Sequence, residues 1–399
     1  MAHILLAWEL GANLGHATRL RSIALALKAR GHRVSFVLRD VVGTRGLLGP
    51  ELGPTLQTPL RLDAAPRAAW SLADVLLTCG YDTLQSLSGL ASAWQQLIEL
   101  TGCDLVLADH APTALLAARL AGRPALHVGH GFSIPPRQSP LPVFRDWAAV
   151  SPSHAAESDA LVLAHVNGVL VAQGRAPLPK LCDLFYPEQT WLLTWPELDH
   201  CAGAGRAAAE YRGPDCEFQP GVAPHWPAAL GPRVFAYLRA SHPDHAEVLR
   251  ALHVRGLPTV CFFPDRVQSK AAAFESPHIR FSEQPLDLQQ VLADCALVVC
   301  HAGQATVAQA LLAGVPCLLL PTQSEQFLLA RQTERAGAGI NVASRAQPVD
   351  YGALLAELST PNGPHTLAAR AIAHRHRGFD AAGLMAQIAA AAEALAHHE

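Results

Sequence analysis

Four short stretches of this sequence hold side chains able to move a proton or grip an anion: Gly15-His16, Asp109-His110, His301-Ala302-Gly303 and Glu325-Gln326. His16 opens an apolar-periodic helix, where the partial positive charge of the helix start favours a neutral imidazole, the form a general base requires. A carboxylate such as Asp109 is suited to hold an imidazole in one tautomer and to stabilise the imidazolium after proton uptake. His301 and Gly303 stand where an apolar run gives way to a helix. The small residues Ala302, Gly303 and Ala305 let a phosphate approach the N–H groups at that helix start. Thr306 adds a hydroxyl donor, and His301 can hydrogen-bond a phosphate oxygen. The chain contains no Asp-x-Asp, a spacing that suits a divalent ion, and no metal site is expected.

The apolar pattern explains how these residues reach one place. A strand at 3 to 8 is followed by a loop of small residues and a helix with Leu20, Ile23, Ala24 and Leu27 on one face, stopped by Gly31 before a strand at 34 to 38. A second unit runs from a strand at 104 to 109 through a helix from Pro112 to a strand at 124 to 129. The pattern restarts with strands at 233 to 238, 259 to 263, 296 to 300 and 316 to 320, and with helices from His245 and Gln304. Strand and helix in alternation predict parallel sheets, and in such sheets ligands sit beyond the carboxyl ends of the strands. All four stretches lie there.

At 399 residues the chain is long enough for two domains, and with 50% hydrophobic and 16% charged residues it can bury a large core. We expect an amino-terminal domain at 1–212, a Pro/Gly-rich linker at 213–232, a carboxy-terminal domain at 233–378, and a final helix within 379–399 that packs back on the first domain. The net charge of -3 disfavours a nucleic-acid partner. Apolar runs such as 310 to 321 fall short of a membrane span and the amino terminus has no cationic leader. Nine cysteines without CxxC fit a reducing compartment, so a cytoplasmic protein is expected. Contact with a membrane surface stays open, as does the oligomeric state.

The run at 15 to 37 resembles the first βαβ of family 1 nucleotide-sugar glycosyltransferases, with a Gly-His opening the helix and a second Gly-His before the next strand. The run at 301 to 326 resembles their donor signature: His-x-Gly, a hydroxyl residue, Gly-Val-Pro, and an acidic-Gln pair 24 and 25 positions after the His. The resemblance implies the GT-B fold, two Rossmann-like doubly wound α/β domains facing across a cleft. It implies His16 and Asp109 as the catalytic dyad. For the donor it implies His301, Gly303, Gln304 and Thr306 at the phosphates, Gln309 at the ribose, Glu325 and Gln326 at the sugar, and the stretch holding Phe281 and Gln284 at the base.

Three departures stand out. Glu325 replaces the commoner Asp, Gln309 replaces a Glu, and the stretch at 281 to 292 lacks the tryptophan that plant members stack on uracil. Arg239, after the first strand of the second domain, is a phosphate candidate equal in weight to a solvated loop arginine. Acceptor recognition is expected from Trp70, Phe132, Phe144, Trp147 and the Pro135-Pro136 loop, with His127 or His130 lining it; most of these aromatics, Trp94 among them, also read as packing.

The expected activity is inverting, metal-independent transfer of a sugar from a UDP or TDP donor, with no other cofactor, to a hydroxyl of a small-molecule or lipid acceptor. A nucleotide-sugar 2-epimerase of the same fold, or a non-catalytic partner of a transferase, are the alternatives. The loop at 11 to 16 lacks the G-x-G-x-x-G of a dehydrogenase.

Overall fold

The computed structural model describes residues 1–12, 14–62, 68–145, 147, 151–265, 274 and 276–397; Asn13 of the loop before His16 and the last two residues of the terminal stretch lie outside that set. The chain divides into two compact units, Met1–Asp215 with Ala382–Glu399, and Cys216–Ala381.

In the first unit β1 (His3–Trp8), β2 (Arg33–Leu38), β3 (Thr55–Gln57), β4 (Leu105–Asp109), β5 (Ala125–Gly129) and β6 (Gln189–Leu192) form a sheet in the order β3-β2-β1-β4-β5-β6. All its ladders are parallel. β1, β4 and β5 are buried along their whole length, as strands covered on both faces must be, which is why they read as continuous apolar runs. Helix Gly15–Ala29 buries Leu20, Ile23, Ala24 and Leu27, the face its spacing predicts.

The second unit repeats the plan. β7 (Val234–Tyr237), β8 (Thr259–Phe262), β9 (Ile279–Ser282), β10 (Leu297–Cys300), β11 (Cys317–Leu319) and β12 (Gly339–Asn341) run in the order β12-β11-β10-β7-β8-β9, again parallel throughout. Each sheet therefore has one switch point, β1 beside β4 and β7 beside β10, where successive connections leave in opposite directions and open a crevice for a ligand. The two α/β domains expected are present. β3, β6, β9 and β12 are the edge strands of the two sheets, and they escape the sequence pattern because their segments TLQ, QTWL, IRFS and GIN form no apolar run.

The apolar runs do not all fall short of a membrane span by length. Ser153–Ala172 is long and apolar enough to cross a membrane by length and composition. In the structure its Val162, Val166, Val169 and Leu170 pack in a core with Leu76, Leu87 and Leu116. Its polar side is also engaged: Ser158 donates to Asp74 at 2.7 Å, and Asp159 accepts from the Leu141 N–H at 2.9 Å. Length and composition miss this because they ignore which side chains meet a partner.

The stretch 213–232 carries no helix or sheet ladder, only an isolated bridge between Val222 and Leu286. Helix Ala381–Ala396 is counted with the first unit, where its Glu393 pairs with Arg30 and lies 3.4 Å from His32. All nine cysteines are free.

Helix Pro112–Ala121 follows β4, and its N-cap is Ala111, which has no side chain to cap with. Glu9, just after β1, supplies the cap by accepting from the Thr113 N–H at 2.8 Å and the Thr113 hydroxyl at 2.5 Å. Burial pushes this carboxyl up to about 7, against the opposing Thr113 hydrogen bonds. Between the usual carboxylate value and 7 the folded chain then holds a proton that the unfolded chain has lost, so Glu9 subtracts stability as pH rises through that window. Urea unfolding at pH 5 and pH 8 should show Glu9→Gln gaining on the wild type by on the order of 3 kcal/mol across the interval. A constant difference between the two proteins would contradict this.

Candidate active site

His16 is the second residue of its helix and is buried, as is Asp109 at the end of β4. Across the β1/β4 switch point His16 Nδ1 lies 3.0 Å from Asp109 Oδ1. The carboxylate thereby holds the proton on Nδ1 and directs proton uptake to Nε2. Arg19, one helical turn after His16, donates through Nη1 to Asp109 Oδ2 at 2.8 Å. Its Nε and Nη2 form a bidentate pair with Asp215 at 2.7 and 3.0 Å. Burial alone would raise the Asp109 carboxyl, but Arg19 and His16 outweigh it and hold the group well below the usual carboxylate range. Sequence reading missed Arg19 and Asp215. The i, i+3 spacing from His16 was the available signal for Arg19; nothing local marks Asp215.

Rings continue from the dyad. His16 lies between Trp8 and His110, with centroids at 5.4 and 5.7 Å, and His110 meets Phe132 at 5.8 Å, which meets Phe144 at 5.5 Å. His110, the residue after Asp109, contributes a ring wall; its φ of 50° is a left-handed conformation that a non-glycine residue adopts at a cost of order 1–3 kcal/mol. His127 is used elsewhere: it is buried, bonds the Phe185 carbonyl through Nδ1 at 2.8 Å, and burial lowers it to about 4. Trp94 is core, while Trp147 is exposed.

Gly11, with φ +86°, approaches the dyad so closely that a Cβ there would sit 3.0 Å from His16 Nε2. Gly11→Ala should therefore lower kcat by about 10 to 10²-fold through displacement of the imidazole. A turnover assay with full activity in this variant would show that Nε2 is not where the reaction occurs.

At the β7/β10 switch point of the second unit, β10 ends in the turn His301-Ala302-Gly303, and helix Gln304–Leu312 starts with Gly303 as its N-cap. Ala302 has φ 56°, a second left-handed non-glycine residue directly after a switch-point strand. A Cβ built on Gly303 meets nothing within 4 Å, so the helix start opens on space rather than packed protein. His301 Nδ1 bonds the Leu320 carbonyl at 2.9 Å, while Nε2 is buried and has no hydrogen-bond partner among the described residues, so it can donate to an anion once the ring takes up a second proton. Burial lowers the His301 pKa and Arg239 lowers it further.

Around it stand Arg239 and three groups absent from the sequence reading. The His242 ring lies 5.7 Å and the Tyr237 ring 6.2 Å from His301. Asp265 accepts from the Ala240 N–H at 3.0 Å, and among the described residues its buried Oδ1 has no hydrogen-bond partner. Arg239 donates to the Tyr237 hydroxyl at 3.0 Å, which fixes it beside β7 at this same crevice.

The remaining donor candidates divide. Thr306 is half-buried in the first turn of helix Gln304–Leu312, and Glu325 and Gln326 open helix Ser324–Arg335. Gln326 Oε1 accepts from the Thr322 N–H and hydroxyl at 2.9 and 3.0 Å. Gln309 is buried and gives its amide N–H groups to the carbonyls of Cys216 and Glu217, at 3.1 and 3.2 Å. Two carbonyl acceptors force that amide orientation, so its donors hold the start of the unit's own chain. Phe281 packs against the core of the second unit and Gln284 is exposed.

Among the described residues, Asp199, His200 and Cys201 bring three ligand-type atoms within 4.8 Å of one another. Asp199 is already matched, however, by Arg206 at 2.8 Å and the Tyr211 hydroxyl at 2.9 Å.

Two nucleotide-type crevices on two parallel sheets define a class: the fold is that of the GT-B glycosyltransferases. Residues 247–377 match the family model described as the erythromycin biosynthesis protein CIII-like C-terminal domain. Along its length the chain is 26% identical to a zeaxanthin glucosyltransferase of Pseudescherichia vulneris, over 92% of each protein. It superposes on the calicheamicin glycosyltransferase CalG4 with a TM-score of 0.72 at 18% identity, covering 99% of this chain and 98% of the other. It also superposes on the spinosyn rhamnosyltransferase SpnG complexed with spinosyn aglycone, with a TM-score of 0.65 at 19% identity over 97% of this chain and 100% of the other. SpnG is also known complexed with thymidine diphosphate. Relatives and structural neighbours alike are glycosyltransferases, and the resemblance of the donor signature to theirs holds.

Proposed function

We propose that the chain is an inverting glycosyltransferase that needs no metal ion, moving a sugar from a TDP- or UDP-sugar to a hydroxyl of a small apolar acceptor or lipid. The observation that carries the reading is the His16–Asp109 pair at 3.0 Å, fixed at the switch point of its sheet. In this reading His16 Nε2 takes the acceptor's hydroxyl proton as the oxygen forms a bond to the anomeric carbon. The bond from that carbon to the diphosphate oxygen breaks on the opposite face, and its electron pair leaves with the diphosphate. The start of helix Gln304–Leu312, His301 and Arg239 stabilise that charge.

TDP is favoured over UDP because a structural neighbour is known with thymidine diphosphate and because the second unit offers no tryptophan at 281 to 292 to stack on uracil. An apolar acceptor is favoured by the rings running from His110 through Phe132 to Phe144, and by the neighbour that carries an aglycone. Arg239, and His301 once it takes up a proton with the diphosphate, take the place of a divalent ion.

The test is turnover with TDP-glucose and a panel of phenols and aliphatic alcohols, with and without EDTA. TDP release coupled to glycoside formation at a chelator-independent rate is expected. Complete loss of turnover with EDTA, restored by magnesium or manganese, would overturn the metal-independent reading.

A further inference from the structure

His16, Asp109, Arg19 and Asp215 form one buried line of alternating partners, with contacts of 3.0, 2.8 and 2.7 Å in sequence. The side chains of Arg19 and Asp109 are almost wholly inaccessible and that of Asp215 is only 12% exposed, so solvent screens these charges poorly. A lone guanidinium against Asp109 would neutralise it and leave little negative potential to welcome a proton on His16. With Asp215 present, the group of four carries one net negative charge while the imidazole is neutral and none once it is protonated. We propose that Arg19 and Asp215 act as positioning residues, Arg19 locking the Asp109 carboxylate toward His16 and Asp215 cancelling the arginine charge so that Asp109 still draws a proton to the ring. The proposal rests on His16 being the base.

Other groups facing the pair act equally in every variant below. His110 and Trp8 stack on His16, and His130 lies close enough to Asp109 to stabilise its charge. His127, on β5, feels Asp109 in turn, and Glu9 is engaged by Thr113.

The experiment is a proton titration of His16 in the full-length chain by histidine-selective ¹⁵N NMR, with the His16 signal assigned from its loss in His16→Gln. Alongside it runs the acid limb of the kcat/KM profile. Asp215→Asn should lower the His16 midpoint by about one pH unit, the size of one poorly screened charge at this range, and move the acid limb down with it. The double variant Arg19→Gln/Asp215→Asn removes one charge of each sign and should return the midpoint to the wild-type value or above it.

A structural role for Asp215 makes the opposite forecast, since the double variant would then be no better than the single one. An unmoved midpoint in Asp215→Asn, or a double variant that stays as low as the single, overturns the proposal. If Asp215→Asn fails to fold, the double variant decides alone: a midpoint a unit below wild type contradicts, and one at or above wild type supports. NMR midpoints that move while the acid limb of the rate stays fixed would uphold the charge coupling and remove His16 from the role of base.

Discussion

Replacing His16 by alanine should slow sugar transfer by about 10² to 10⁴-fold, the span a positioned general base supplies. The fold should survive, because Asp109 keeps its bond from Arg19 at 2.8 Å and is not left as an uncompensated buried charge. TDP affinity should hardly change, since His301 and its turn belong to the other unit. Asp109→Asn should also slow the chemical step, as an amide cannot stabilise an imidazolium; combining the two should cost little more than His16→Ala alone, because residues that act as a unit are not additive. Steady-state kinetics beside a thermal melt separates this pattern from that of a structural histidine. A lowered melting temperature with binding and rate damaged together would point to structure, not catalysis.

His301→Ala should weaken TDP binding by about 5 to 150-fold, equivalent to roughly 1–3 kcal/mol for a hydrogen bond to a charged oxygen. The dependence on pH is the sharper signature. With Nδ1 bonded to the Leu320 carbonyl, the neutral ring carries its proton there and offers a bare Nε2, which cannot donate to phosphate. Burial and Arg239 hold the unliganded ring below its ordinary value, and a bound diphosphate must raise it, so binding takes up a proton. The gain is complete below the unliganded value and disappears as pH rises through the liganded one. Calorimetric titration of TDP at pH 6, 7 and 8 should show wild-type affinity falling relative to His301→Ala as pH increases; taking the ratio cancels the titration of the diphosphate itself. Parallel affinities at all three pH values would show that Nε2 does not reach a phosphate.

Much of this could be read before any coordinates. β1, β4, β5, β7 and β10 are buried on both faces, and burial of that kind leaves an unbroken apolar run. The chemically able residues at the ends of those runs, His16, Asp109 and His301, then fall at the sheet edge by the geometry of parallel strands alone.

What escaped is contact between residues far apart in the chain. Asp215 lies 196 positions from the arginine it clasps, in a Pro/Gly-rich stretch whose composition announces only a connection. The family resemblance implies Gln309 as a ribose contact, and no local pattern shows that its amide hydrogens meet the carbonyls of Cys216 and Glu217. Phe281 reads equally as stacking or packing; in the structure it lies partly buried against the core that holds Ile279 and Cys261. Tyr237, His242 and Asp265 cluster with His301 only because β7 stands beside β10 and β8 beside β7, an order of strands that no local pattern encodes.

The account turns on direct displacement at the anomeric carbon, and the configuration of the product reports it most plainly. The full-length chain would be incubated with TDP-α-D-glucose and an apolar alcohol that it accepts, and the glycoside examined by proton NMR while TDP is quantified. The account predicts a β-glycoside with one TDP released for each glycoside formed. An α-glycoside, or glycoside formed without matching release of TDP, would contradict it.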